Sequence, residues 1–351
     1  MKKLLALLVT TAMVASLTAC GSASTETATE SSAEAAETEE AATEATETEE
    51  AQTEETADAD AAYTIGICQL VQHEALDAAT QGFKDALTEE LGDAVTFDEQ
   101  NAQGDSNTCS TIINSFVSND VDLILANATP ALQAAAAGTN EIPILGTSVT
   151  EYGVALESEG FTGTVGGNIS GTSDLAPLDG QADMIQELFP DVKNIGLLYC
   201  SAEANSQYQV DTIKTYLEEK GYTCEYYAFS DSNDLSSVVT TAVSEVEVIY
   251  IPTDNTAASN TELINNICLP AGIPVVAGEE GICAGCGVAT LSISYYDLGV
   301  ATGKMAARIL AGEDIATMPI EYAPNFTKKY NAANCEALGI AIPEDYEAIA
   351  Q

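Results

Sequence analysis

From Tyr63 onward, short apolar runs rich in β-branched residues alternate with polar-faced stretches of helical length. Residues 64–70 (Thr64 to Leu70) read as a strand, followed by a helix over 75–91. A short run at 95–97 precedes a helix over 109–117. The run 122–125 precedes a helix over 130–137, with Pro130 suited to a first helical turn, where its missing N–H costs nothing. The run 143–145 closes this series. A second series begins at 194–199 and continues through 224–227, 246–251 and 273–276, with helices over 206–220, 235–244 and 257–268 between the strands.

Strands alternating with helices imply an α/β fold with parallel sheets, because a parallel pair needs a crossover helix to return the chain. The strands are apolar almost throughout rather than at every second residue, which fits sheets covered on both faces. Two series therefore predict two doubly wound parallel-sheet lobes. Between them, 164–174 is Gly-rich and extended, and reads as a crossover. After Ser294 come a long helix over 296–310, a short strand over 318–322 and a polar end. The expected lobes are thus discontinuous: 63–172 with 295–323, and 173–294 with 324–351, joined by several hinge crossovers.

The chain ahead of Tyr63 is different in composition. Residues 22–62 are almost wholly Ser, Thr, Ala, Glu, Asp and Gln, with 14 acids and no Lys or Arg. Such a stretch cannot bury enough apolar area to offset its ordering entropy, so a disordered tether is expected, about 35 Å end to end as a flexible coil and longer under like-charge repulsion. The remainder carries 41 acids against 8 bases. That balance excludes nucleic-acid binding, which needs clustered Lys and Arg, and disfavours anionic ligands. Before the tether, Lys2 and Lys3 precede an apolar run from Leu4 to Leu17, too short to span a bilayer. The run ends Leu17-Thr18-Ala19-Cys20-Gly21, which resembles the lipobox of bacterial lipoproteins. The resemblance implies a signal peptide over 1–19, a diacylated Cys20 heading a tether over 20–62, and export to the outer face of the cell membrane.

Seven pieces spread along the rest of the chain carry a further resemblance. They are Gly66-Ile-Cys-Gln-Leu-Val-Gln-His73 with Ala75-Leu76-Asp77, Asn101-Ala-Gln-Gly-Asp105, Ala128-Thr-Pro-Ala131, Gly171-Thr-Ser-Asp-Leu175, Ser201-Ala-Glu-Ala-Asn-Ser206, Pro252-Thr-Asp-Asn-Thr256 and Ser294-Tyr-Tyr-Asp-Leu-Gly299. In this order they resemble the substrate-binding lipoproteins of ABC importers of the tryptophan/tyrosine type, with a type I periplasmic-binding-protein fold. One departure is Val149-Thr150-Glu151, where Val-Thr-Asp is the commoner reading. The resemblance implies a monomer that captures an aromatic amino acid (tryptophan, tyrosine or phenylalanine) between its lobes and delivers it to a permease and its ATPase.

Each piece follows a predicted strand end, where doubly wound sheets bind ligands. A free amino acid needs an anion site, a cation site and a side-chain pocket. Thr129 before Pro130, Ser201 with Asn205, and Ser148 offer hydroxyl and amide donors beside helix N-termini, which favour a carboxylate. Asp254 and Glu280, each just after a strand, are best placed for the ammonium; Asp174 at the crossover is either a third candidate or a helix cap. His73, the one histidine, shares the first strand-to-helix loop with Gln69, and Asp77 reads as a helix-surface acid. One of Tyr199, Tyr295 and Tyr296 is expected to stack on the ligand, with Tyr295 taken into the binding set.

Beyond Cys20 there are eight cysteines. Export would favour pairing, yet Cys68, Cys200 and Cys224 fall in apolar strands and Cys268 near a helix end, where a thiol serves as a small hydrophobe. Cys283-Ala-Gly-Cys286 has redox spacing but is not expected to open a helix after a strand; structural thiols are the reading. No metal or other cofactor is expected. An enzyme is disfavoured: there is no Gly-x-Ser-x-Gly elbow, no phosphate loop and one histidine. The alternative to transport is a ligand-sensing lipoprotein for another amino acid, a nucleoside or a sugar.

Overall fold

The computed structural model describes residues 63–350; the proposed signal segment, Cys20 and the acidic tether lie outside the described residues. The first series forms β1 (Tyr63–Gln69), α1 (Glu74–Leu91), β2 (Val95–Asn101), α2 (Ser106–Ser118), β3 (Leu123–Asn127), α3 (Thr129–Gly138), β4 (Ile144–Val149), α4 (Tyr152–Ala155) and β5 (Ile169–Ser173). Alternate residues of one strand enter different cores. Ile65, Ile67, Leu123 and Leu125 pack with Phe83 and Leu87 of α1, whereas Cys68, Ile124 and Ala126 pack with Ile113 and Phe116 of α2 and Leu132 of α3. Both faces of the pleat are buried, hence the unbroken apolar runs.

The second series forms α5 (Leu178–Leu188), β6 (Asn194–Cys200), α6 (Ala204–Glu219), β7 (Thr223–Phe229), α7 (Ser232–Ala242), β8 (Val248–Ile251), α8 (Asn255–Ala258), α9 (Thr261–Ala271), β9 (Val275–Ala277), α10 (Glu280–Cys286) and β10 (Ala289–Ser292). It is followed by α11 (Tyr295–Leu310), β11 (Glu321–Tyr322), β12 (Thr327–Tyr330), α12 (Ala332–Leu338) and β13 (Glu347–Ala348). The first sheet has the order β11-β5-β4-β3-β1-β2 and the second β13-β12-β10-β9-β8-β6-β7. Every pairing is parallel except β10 with β12. Strand order reverses at β1/β3 in one sheet and at β6/β8 in the other, so each lobe opens a crevice at the carboxyl ends of those strands. The chain passes between the sheets after β5, after β10 and after β11.

Two expectations need correction. Within the proposed crossover over 164–174, Ile169–Ser173 is the strand β5; Gly166 and Gly167, with φ of 82° and 63°, turn the chain into it. The strand expected over 318–322 keeps only its last two residues. Ser170 Oγ donates to Met318 O at 3.1 Å and Ile320 N to Gly163 O at 2.8 Å, so these groups are bonded outside the ladder. Cys283 and Cys286 fall at the middle and end of α10, which Glu280 opens after β9, so as expected the pair does not open that helix.

Helix α11 returns to the first lobe and packs along α1 through small residues. A Cβ added at Gly299 would fall 2.0 Å from Ala79 O, and one at Gly82 would fall 2.1 Å from Tyr296 O. Glycine here costs helix propensity in exchange for close approach. Ala at Gly299 gains about 1 kcal/mol of propensity but forces two backbones apart, at about 1–3 kcal/mol or more. Gly299→Ala is therefore expected to lower the urea midpoint; an unchanged or raised midpoint would show that the contact yields freely.

Candidate ligand-binding cleft

The loops that follow β1, β4 and β5 in the first lobe face those that follow β6, β8 and β9 in the second. Between them lies a narrow, nearly closed cavity of about 10 Å³, roughly the room of one water molecule. The structure brings six of the expected residues to its wall: His73, Ser148, Asp174, Asn205, Asp254 and Tyr295, with Leu76 and Ala258 as apolar surface. Two hydrogen bonds cross the cleft, His73 Nε2 with Asn255 Oδ1 at 3.2 Å and Thr150 Oγ1 with Thr253 Oγ1 at 3.4 Å.

Asp174 is buried, and Tyr295 Oη donates to its Oδ2 at 2.9 Å, leaving Oδ1 without a protein partner. It caps no helix: the N-cap of α5 is Pro177. Burial raises its carboxyl above the usual range, against the pull of the Tyr295 and Thr150 hydroxyls. Ser148 Oγ and Asn205 Oδ1 are likewise buried and unpartnered. Ser148 sits at φ 53°, a left-handed backbone that a non-glycine residue adopts only where its surroundings impose it. The Asn205 amide is oriented by its other end, Nδ2 donating to Thr253 O at 3.0 Å. Buried polar atoms are nearly always paired, so three orphans lining one cavity, two from the first lobe and one from the second, mark a surface shaped for a polar ligand.

The other acids of the cleft are engaged. Asp254 caps α8, its Oδ1 accepting from Ala257 N at 2.8 Å and its Oδ2 from Cys200 N at 2.6 Å. Both Asp254 oxygens already accept a backbone hydrogen bond, whereas Asp174 keeps an oxygen with no protein partner. Burial and then Glu203 push the Asp254 carboxyl up to about 8. Glu280, the other ammonium candidate, points away and pairs with Lys329 at 2.5 Å. Its neighbour Glu279 is the residue that lines the cleft, capping α10 through Gly281 N and Ile282 N; burial pushes Glu279 up to about 7.

Three more expected residues stand off the wall. Gln69 is buried but fully occupied, accepting from Thr80 Oγ1 at 2.7 Å and donating to Val71 O at 2.9 Å and to the exposed Asp77 at 2.6 Å. Ser201 is exposed and its Oγ donates to Phe229 O at 3.0 Å. Thr129, the first residue of α3, is buried with an unpartnered Oγ1 but does not line the cavity. Among the tyrosines, Tyr199 packs edge-on against Tyr226 and Tyr296 is exposed, donating to Asp85. All eight described cysteines are free and buried. Burial holds the Cys283 and Cys286 thiols well above their ordinary range, the reverse of a redox pair. Among the described residues no three His, Cys, Asp or Glu are grouped to hold a metal ion, and no helix is long and apolar enough to cross a membrane.

Sequence reasoning missed Glu203, Thr253, Asn255 and Glu279. The first three lie inside motifs already singled out, but the motifs do not say which side chains turn inward. For the tandem Glu279-Glu280 the deciding factor is the register at the end of a three-residue strand.

The raised carboxyls set the sign of a pH effect. Between their unfolded range near 4 and their native values near 7 and 8, Glu279 and Asp254 hold protons that the unfolded chain releases. Their stabilising contribution is complete below about pH 4 and is lost as pH rises through 8. His73 acts in the opposite sense, since burial lowers its pKa, but it is one group against these two and Asp174. The thermal midpoint is expected to fall between about pH 5 and pH 8.5; a flat or rising profile would mean these carboxyls ionise in place without cost.

A family model described as ABC transporter substrate binding protein matches residues 64–351. The chain is 36% identical over 269 residues to the tyrosine-binding protein of Clostridioides difficile (strain R20291), covering 75% of this chain and 77% of that one. Among solved structures, the ABC domain in complex with L-Trp from Streptococcus pneumonia is 34% identical with a TM-score of 0.79, covering 82% of this chain and 99% of that one. The ligand-free, open structure of a substrate-binding protein with adhesive properties from Clostridium difficile is 36% identical with the same coverages, but its TM-score is 0.63. The lobes here thus match the L-Trp complex better than the open form, as the bonds across the cleft require. On this fold, this cleft and this match, the chain belongs to the ABC transporter substrate-binding protein family, extracytoplasmic proteins that catalyse no reaction and carry a small-molecule ligand to an ABC permease.

Proposed function

We propose that the ligand is an aromatic amino acid, and that Asp174 takes its ammonium group. The observation that carries this reading is the buried Asp174 oxygen without a partner, held in place by Tyr295. Ser148 supplies a hydroxyl to the carboxylate, with Thr129 and the N-terminus of α3 beside it adding positive potential. Leu76, Ala258 and the Tyr295 ring form the apolar surface for the side chain. A relative that binds tyrosine and another solved with L-Trp support the class. In this reading the protein acts as a monomer, exported and anchored through lipid on Cys20, with residues 22–62 as the tether that lets it reach its permease.

Thermal unfolding with each of the twenty amino acids, several nucleosides and several sugars tests the ligand. A shift confined to tryptophan, tyrosine or phenylalanine is expected; a shift with a nucleoside or sugar instead discards the aromatic amino acid. Asp174→Asn removes a charge-assisted contact and is expected to weaken binding roughly 10- to 100-fold by calorimetry. Undiminished binding in that variant would place the ammonium elsewhere. The anchor is tested separately: cells given labelled palmitate should label the wild-type chain and leave Cys20→Ala unlabelled, whereas equal labelling refutes it.

A further inference from the structure

The hydrogen bond between His73 and Asn255 stands at the boundary of the inner cavity. His73 belongs to the first lobe, just before α1, and Asn255 opens α8 in the second. Both line the inner cavity. Asn255 also lines an outer recess with Gly104 and Ser232, and His73 another with Gly281 and Gly285. A ligand seated at Asp174 and Ser148 therefore has this bond between itself and the outer cleft.

The orientation of Asn255 is set within its own lobe. The buried Glu203 carboxylate accepts from Asn255 N at 3.0 Å, Asn255 Nδ2 at 2.6 Å, Thr256 N at 2.9 Å and Thr256 Oγ1 at 2.8 Å. With Nδ2 held there, Asn255 presents only its oxygen to the first lobe, so His73 donates from Nε2. That tautomer follows from the network around it.

We propose that Glu203, Asn255 and His73 form a closure latch, whose Glu203–Asn255 half is built into the second lobe and whose His73 docks when the lobes meet. It governs how long a ligand stays rather than how fast it arrives. Glu203 is the positioning residue: it touches neither His73 nor the ligand, and acts by aiming Asn255. The latch rests on the interlobe cleft being the ligand site, the reading proposed above.

Stopped-flow dissociation of L-tyrosine from the full chain provides the test. Losing one neutral hydrogen bond corresponds to about a fivefold change in an equilibrium constant, so His73→Ala and Asn255→Ala should each raise koff about fivefold with kon within about twofold. The double variant should match either single one instead of reaching about twenty-five-fold, because both remove the same bond. In a Glu203→Gln background, His73→Ala should change koff by less than about twofold, a coupling between residues not in contact that simple loss of packing does not produce. Thermal unfolding of the ligand-free variants checks their folding, and if Glu203→Gln does not fold, the His73 and Asn255 cycle alone decides. Independent effects in the double variant, or an unchanged koff in the single ones, overturn the latch. A ligand-free arm separates this from the choice of ligand. A spin label on Ser232→Cys, in a Cys20→Ser background, should relax amides around Gly104 less in His73→Ala than in the unaltered latch. If L-tyrosine fails to bind the wild type, the ligand reading falls, and this relaxation difference still decides the latch: a reduced effect upholds it and an equal one refutes it.

Discussion

A polar atom taken out of water must find a partner or cost roughly 1–3 kcal/mol, and the cleft is organised around that constraint. Backbone and side-chain groups crowd together where the carboxyl ends of two parallel sheets face each other. Most are satisfied within the protein: Gln69 by Val71, Asp77 and Thr80, and Asp254 by the amides of Cys200 and Ala257. A few are not, and Asp174 Oδ1, Ser148 Oγ and Asn205 Oδ1 line the same cavity from its two sides. Their cost is borne by the rest of the fold and recovered when a ligand of matching polarity enters.

The excess of acids over bases explains how the carboxylates are held. With few Lys and Arg to pair them, many are placed where helix N-termini leave N–H groups unsatisfied. Asp105 caps α2, Glu151 caps α4, Asp231 caps α7, Asp254 caps α8 and Glu279 caps α10. Glu203 does so from a distance, serving the first residues of α8 from the loop before α6. These caps position the cleft loops as well as stabilise helices, so a strongly acidic chain builds a defined site with little use of ion pairs. Among the described residues the ion pairs, such as Lys84 with Glu99 and Arg308 with Glu321, lie at or near the surface, where such pairs contribute little.

Much of this was legible in the sequence, for stated reasons. Runs such as 194–199 are buried on both faces, so strand identity, parallel pairing and two lobes followed from alternation with helices. Every motif sat after a strand, which located the crevice. Legibility ended at side-chain direction. Asp254 and Asp174 are both acids near strand ends, yet one is consumed by capping and the other keeps a free oxygen. Glu280 was expected in the cleft because it lies just after a strand, but the register after β9 puts Glu279 there. Tyr295 and Tyr296 are neighbours, but on a helix successive residues face about 100° apart, so only one reaches Asp174.

The sequence by itself determined the α/β class, the two-lobe division and the region of the cleft, because hydrophobic periodicity and strand ends are local properties. Only the tertiary structure decided which buried polar atoms remain without partners, since satisfaction depends on groups far apart in the chain. Tyr295 meets Asp174 across 121 positions and His73 meets Asn255 across 182. No periodicity encodes such pairs; they exist because two sheets, each reversing its strand order, bring their crevices face to face.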